Sequence, residues 1–172
     1  MREVVDADRV RRFMQALGEE AEVEGRVYFT GGATAVLLGW RTSTIDVDIK
    51  LVPEQDSVTR AIPRLKEALH INVELASPDQ FIPPLPGWQD RSRFIERHGR
   101  ASFFHYDFYA QALAKIERDH VRDREDVEQM MSRGLVGSRK ALELFTAIEP
   151  DLHRYPALDA RTFRRNVERV LL

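Results

Sequence analysis

Residues 28–52 read YFTGGATAVLLGWRTSTIDVDIKLV, and their pattern sets the fold class. Val27, Tyr28 and Phe29, flanked by Arg26 and Thr30, have the β-branched and aromatic content of a strand. Gly31 and Gly32 then turn the chain into a short helix, Ala33 to Leu38, which Gly39 closes. From Ile45 the pattern changes to alternation. Ile45, Val47, Ile49 and Leu51 face one way, and Asp46, Asp48 and Lys50 face the other, because residues i and i+2 share a face of a strand. Two carboxylates held side by side disfavour each other's ionisation, so the arrangement calls for a divalent cation between them. Magnesium, a hard ion that takes oxygen ligands, suits such a pair. A glycine pair taken alone reads as a tight turn; its placement before the two aspartates points to a nucleotide and metal site.

Working outward, residues 6–18 predict an amphipathic helix on the outside of a sheet. Asp6 is its N-cap, Val10, Phe13, Met14 and Leu17 form its apolar stripe, and Gly18 ends it. After Pro53, the spacing of Val58, Ile62, Leu65 and Leu69 predicts a helix that Pro63 should kink or end. INVELA, residues 71–76, alternates as a strand, with Ile71, Val73 and Leu75 on one face and Asn72 and Glu74 on the other. In suitable register beside the Asp46 strand, Glu74 adds a third carboxylate; a solvent-facing glutamate is the other reading. Ser77 to Gly87 holds four prolines and a glycine, which predicts a long loop whose Phe81, Ile82 and Leu85 dock onto the body. Arg91, Arg93, Arg97 and Arg100 then read as phosphate contacts or as a solvated charged face.

ASFFHYDF, from Ala101, is strand-like, and residues 109–134 predict one or two helices ending at Gly134. Lys115 and Arg118, spaced i, i+3, share a helical face, and Asp123 and Asp126 repeat that spacing. They read as a phosphate-positioning group or as ion pairs of a helix surface. Ser138 should cap a further helix with Leu142, Phe145 and Ile148 inward and Pro150 as its stop. A last helix, about Asp159 to Leu172, should bury Phe163, Val167, Val170 and Leu171. Its Arg161, Arg164, Arg165 and Arg169 make a basic flank, interrupted by Asp159 and Glu168 and without interleaved aromatic residues to stack on bases.

The 172 residues fit one domain, and 43% hydrophobic with 31% charged residues is ordinary for a folded globular chain. No cysteine is present, which excludes disulfides, thiol nucleophiles and cysteine-ligated zinc. The N-terminal run MREVVDADRVRR lacks the apolar centre of a signal peptide and no apolar run is long enough to span a membrane, so a cytoplasmic location is expected. A formal net charge of −2 gives no global footprint for nucleic acid. The five histidines show no paired metal-ligand spacing, and no nucleophile elbow, phosphate loop or dinucleotide fingerprint occurs.

Gly31-Gly32 followed by Asp46-Val47-Asp48, flanked by Ile45 and Ile49, resembles the hallmark of the nucleotidyltransferase superfamily that shares its core with polymerase β. Arg41 and Thr44 ahead of the aspartates, with Lys115, Arg118, Asp123 and Asp126 downstream, look like the AbiEii-type branch, which includes toxins of toxin–antitoxin and phage-defence systems. The resemblance covers about residues 26–132. It implies an α+β fold: a small mixed β-sheet with flanking helices over 1–109 and C-terminal helices, 110–172, packed on that core. It implies magnesium on Asp46 and Asp48, with Glu74 as a third ligand, and a nucleoside triphosphate along Thr30, Gly31, Gly32, Arg41, Thr44, Lys115 and Arg118. Asp123 or Asp126 would anchor Lys115 or act on the acceptor hydroxyl. The implied activity is transfer of a nucleoside monophosphate to an RNA end or a protein hydroxyl, with an antitoxin or cognate protein as partner. A catalytically silent domain of this fold, acting as a binding or regulatory partner, is the alternative; an unrelated domain with Asp46 and Asp48 on a solvated strand face is another.

Overall fold

A computed structural model of the chain describes residues 3–172; Met1 and Arg2, which open the charged N-terminal run, lie outside the described residues. The fold is α+β, with one five-stranded mixed sheet and eight α-helices among the described residues. The chain divides into two compact units: the residues through Ser77 with Arg93–His105, and Pro78–Ser92 with Tyr106–Leu172.

The first unit holds the sheet. Its strands are β1 (Gly25–Thr30), β2 (Asp46–Val52), β3 (Asn72–Leu75), β4 (Arg93–His98) and β5 (Ala101–His105), in the spatial order β3-β2-β1-β5-β4. β1 pairs antiparallel with β2 and parallel with β5, β2 pairs parallel with β3, and β4 and β5 form an antiparallel pair. Helices α1 (Ala7–Gly18), α2 (Gly32–Leu38) and α3 (Asp56–Leu69) complete the unit. Asp6 caps α1 as expected, its carboxylate accepting from the Arg9 N–H at 2.9 Å. Val10, Phe13, Met14 and Leu17 of α1 and Val58, Ala61, Ile62 and Leu65 of α3 bury against Val27, Phe29, Val47, Ile49, Val73 and Phe103 of the sheet. Burial of these apolar faces is the main force that holds the unit together.

Pro63 does not end α3, which runs through it: Pro63 and Thr59 lie on the solvent side, so the lost backbone hydrogen bond is open to water while Val58, Ile62 and Leu65 stay packed. Ile45 precedes β2 and is 38% exposed, and Leu75, at the end of the short β3, is 43% exposed, so neither joins the buried face. Arg93 to His98, read as a charged face, is an edge strand. Its alternation is masked by charge, which edge strands carry as a guard against further pairing.

The second unit is helical: α4 (Trp88–Arg91), α5 (Phe108–Arg118), α6 (Val121–Ser132), α7 (Ser138–Ile148) and α8 (Ala160–Leu171), with 3-10 turns at Pro78–Gln80 and Glu149–Arg154. Ile82 and Leu85 are buried as expected, but Phe81 is 53% exposed and does not dock. Trp88 stacks on Tyr106 at 4.4 Å, and Phe145 meets Phe163 edge to face at 4.9 Å. The N-cap of α7 is Gly137, and Ser138 is the first helical residue with no capping bond. Pro150 does not stop the chain's winding, which continues as a 3-10 turn where the missing N–H of an early position costs nothing. α8 begins where expected, with Asp159 as its N-cap, and Asn166 joins the buried face, donating to the Ile116 carbonyl at 3.2 Å. The basic flank of α8 is engaged in ion pairs, Arg164 with Glu149 and Arg169 with Asp119. Among the described residues no helix is long and apolar enough to cross a membrane.

Candidate active site

The sheet register decides where the carboxylates stand. In the parallel pairing Asp46 faces Asn72 and Asp48 faces Glu74; on the other side Thr30 of β1 faces Asp48. Cross-strand partners share a face, so Thr30, Asp48 and Glu74 form one row and Asp46 and Asn72 the next. Asp46 and Asp48 are half-buried and Glu74 is exposed. Asn72 ties the rows together: its side-chain amide donates to Asp46 Oδ1 at 2.6 Å and to Glu74 Oε1 at 3.2 Å. An amide carries two N–H donors and no charge, so it holds the two carboxylates near one another without neutralising them. The alternation of residues 71–76 gives Asn72 only an outward-facing place on a strand.

The glycine pair is fitted to this row. Gly31 has φ +64 and ψ −130, a backbone conformation that side chains do not tolerate, and a Cβ placed on it would lie 3.4 Å from Asp48 Oδ2. A Cβ on Gly32 would fall 2.0 Å from Thr44 Oγ1, so Gly32 is required by the close approach of Thr44. Thr44 is a structural clamp: it exchanges backbone hydrogen bonds with Val5, at 2.7 and 2.9 Å, and its hydroxyl donates to the Asp46 carbonyl at 3.1 Å. Thr44 is itself buried. The Arg41 backbone N–H donates to the Ala35 carbonyl of α2 at 3.3 Å. Among the described residues no group of three or more acidic or histidine side chains is gathered closely enough to hold a metal ion.

In the second unit, Lys115, Arg118, Asp123 and Asp126 form one network. Lys115 Nζ stands 2.8 Å from Asp126 Oδ2 and 3.6 Å from Asp123 Oδ1. Arg118 grips Asp123 with both arms of its fork, at 2.8 and 2.6 Å, and the His120 N–H donates to the same carboxylate at 3.1 Å. Burial pushes the Asp123 carboxyl up, but the Arg118 hydrogen bonds, then the Lys115 charge, outweigh it and hold the group below its ordinary range. Asp123 and Asp126 are almost fully buried, Lys115 nearly so, and the Arg118 side chain is largely exposed. Beside this network a cavity of about 510 Å³ is lined by Lys115 and Asp123 at its polar end and by Ile116, Val127, Met131 and Val170 along its apolar wall. Of these four the sequence reading names only Val170, as a buried position of the last helix, and it foretells no cavity there. No protein-family model, no curated protein and no solved structure matches the chain.

Proposed function

We propose that the chain is a magnesium-dependent nucleotidyltransferase that moves a nucleoside monophosphate from a nucleoside triphosphate to an acceptor hydroxyl. The observation that carries this reading is the register of β2 and β3, which sets Glu74 beside Asp48 and lets Asn72 bridge Asp46 and Glu74. The donor chemistry fits magnesium, since all three groups offer hard carboxylate oxygens on neighbouring rows of one sheet face. Asp46 and Asp48 would hold the ion, with Glu74 swung in from the exposed side; bound magnesium supplies charge neutralisation and orientation for the triphosphate. Gly31, lacking a Cβ beside Asp48, lets a phosphate approach the backbone. That Lys115 and Arg118 bind phosphate rests on the sequence resemblance alone; within the second unit Asp126 fixes the lysine and Asp123 the arginine. A role as the cytoplasmic toxin of a toxin–antitoxin pair belongs to the same proposal.

The silent-domain reading draws on a different observation: among the described residues the acidic groups are not gathered into a metal shell. Incubation with each labelled nucleoside triphosphate, magnesium, and total RNA or cell protein separates the two. Transfer that disappears in the Asp46→Ala, Asp48→Ala double variant supports the enzyme. No transfer to any acceptor, with no magnesium-dependent binding of a triphosphate, leaves the silent domain.

A further inference from the structure

Asn72 opens β3 opposite Asp46 and two residues before Glu74, and local preference does not account for it there. Asparagine is depleted in strands because its amide competes with the backbone for hydrogen bonds. Here the amide nitrogen donates instead to Asp46 Oδ1 at 2.6 Å and to Glu74 Oε1 at 3.2 Å. Carboxylates only accept, so the nitrogen and not the oxygen of the amide must face them. Both of its N–H bonds are thereby engaged by acidic groups.

Other side chains would fill this half-buried position differently. A lysine or arginine would neutralise the carboxylates. An aspartate would add a negative charge and offer no donor, and a serine or threonine hydroxyl has one hydrogen, enough for a single carboxylate. Asparagine joins both groups and leaves both charged. The two bonds are unequal: Asp46 is half-buried and held by the shorter one, and Glu74 is exposed and held by the longer one. The amide therefore fixes Asp46 and only parks Glu74.

We infer that Asn72 is a positioning residue of the transfer site, which sets the direction of the Asp46 carboxylate and through it the affinity of the site for a divalent cation. The inference rests on the proposed transferase and adds to it a residue that acts through a metal ligand instead of being one. A ligating carboxylate needs a neighbour to orient it, and loss of such a neighbour typically lowers metal affinity about 10–100-fold.

The test uses the whole protein and manganous ion, which accepts the same octahedral oxygen sites as magnesium and whose free concentration is read by electron paramagnetic resonance. Asn72→Leu keeps the size of the side chain and removes both donors, and should weaken manganese binding about tenfold. Asn72→Ala removes the donors by truncation and should show the same loss. In the transfer assay each should need about tenfold more magnesium for half-maximal rate and regain the parent rate at saturating magnesium, a pattern that a merely structural role does not produce. In a Glu74→Ala background Asn72→Leu should still weaken binding, because the shorter bond is to Asp46. Circular dichroism and urea unfolding establish that each variant is folded. Parent-like manganese binding by Asn72→Leu and Asn72→Ala overturns the positioning role while an active transferase stands. An effect that vanishes in the Glu74→Ala background overturns the assignment to Asp46. Asn72-dependent manganese binding without transfer to any acceptor keeps the positioning role and removes the transferase. A parent protein that binds no manganese and transfers no nucleotide removes both.

Discussion

On β2 and β3, Asp46, Asp48 and Glu74 share a half-exposed sheet face, where an uncharged amide from Asn72 joins two of them. On α5 and α6, Asp123 and Asp126 are buried, and each meets a cation at salt-bridge distance, Arg118 and Lys115. The same residue type therefore does opposite work in the two units. Helical spacing brings Lys115, Arg118, Asp123 and Asp126 together with charges balanced two against two, so the network holds its own geometry. Strand alternation and register gather Asp46, Asp48 and Glu74 on one face, where Asn72 joins Asp46 to Glu74. A satisfied buried network is felt in stability when one partner is removed. Carboxylates of the proposed transfer site are felt in chemistry.

The largest effect that tests this contrast is on activity. Asp46→Ala with Asp48→Ala should reduce transfer to background in a labelled-nucleotide assay, while the urea-unfolding midpoint stays about the same. A double variant that unfolds at markedly lower urea would make the cluster structural and end the contrast. Next comes the helical network. Asp126→Ala leaves the Lys115 ammonium buried beside a missing partner, and should cost about 3–5 kcal/mol by chemical denaturation. A loss under about 1 kcal/mol would show that the lysine finds water instead.

pH separates the two units further. His105 is buried, with its Nδ1 3.0 Å from Thr34 Oγ1, and burial, then the Arg93 charge, lowers its pKa from 6.5 to about 4. A histidine kept neutral in the fold but protonated when unfolded stabilises the protein above pH 6.5. That contribution shrinks as pH falls from 6.5 towards 4, by roughly 3 kcal/mol in all. Denaturation at neutral pH and near pH 4.5 should show this slope in the parent and a flatter one in His105→Asn. Asp123 acts lower: its depressed carboxyl stabilises above the ordinary carboxylate range and is lost as pH falls through its folded value, so Asp123→Asn should alter only the most acidic limb. The smallest effect is at the turn. Gly31→Ala forces a side chain into a glycine-only backbone conformation beside Asp48, and should cost about 1–3 kcal/mol in stability. If stability is unchanged and transfer falls, the glycine serves phosphate approach instead of the turn.

Strong local patterns were legible from the sequence. The cap at Asp6, the outward face of Asp46 and Asp48, and the start of α8 near Asp159 follow from side-chain chemistry and periodicity within a dozen residues, whereas the sequence leaves open whether residues 109–134 are one helix or two. The i, i+3 spacings also brought Lys115, Arg118, Asp123 and Asp126 into view, though not which aspartate takes which cation. What misled was local evidence that packing overrides: Pro63 inside α3, the apolar Phe81 left in solvent, and a charged run that is the edge strand β4.

The sequence by itself determined that a strand, a glycine turn, a short helix and a second strand present two aspartates to one side, because side-chain direction in a strand depends only on residue parity. Only the tertiary structure decided their company. Which strands lie beside β2 and β5, and in what register, is fixed by burying Val47, Ile49, Val73 and Phe103 against α1 and α3, residues far apart in the chain. That non-local choice put Glu74 beside Asp48 and slid Asn72 between two carboxylates. A shift of one residue would have turned each of them to the opposite face.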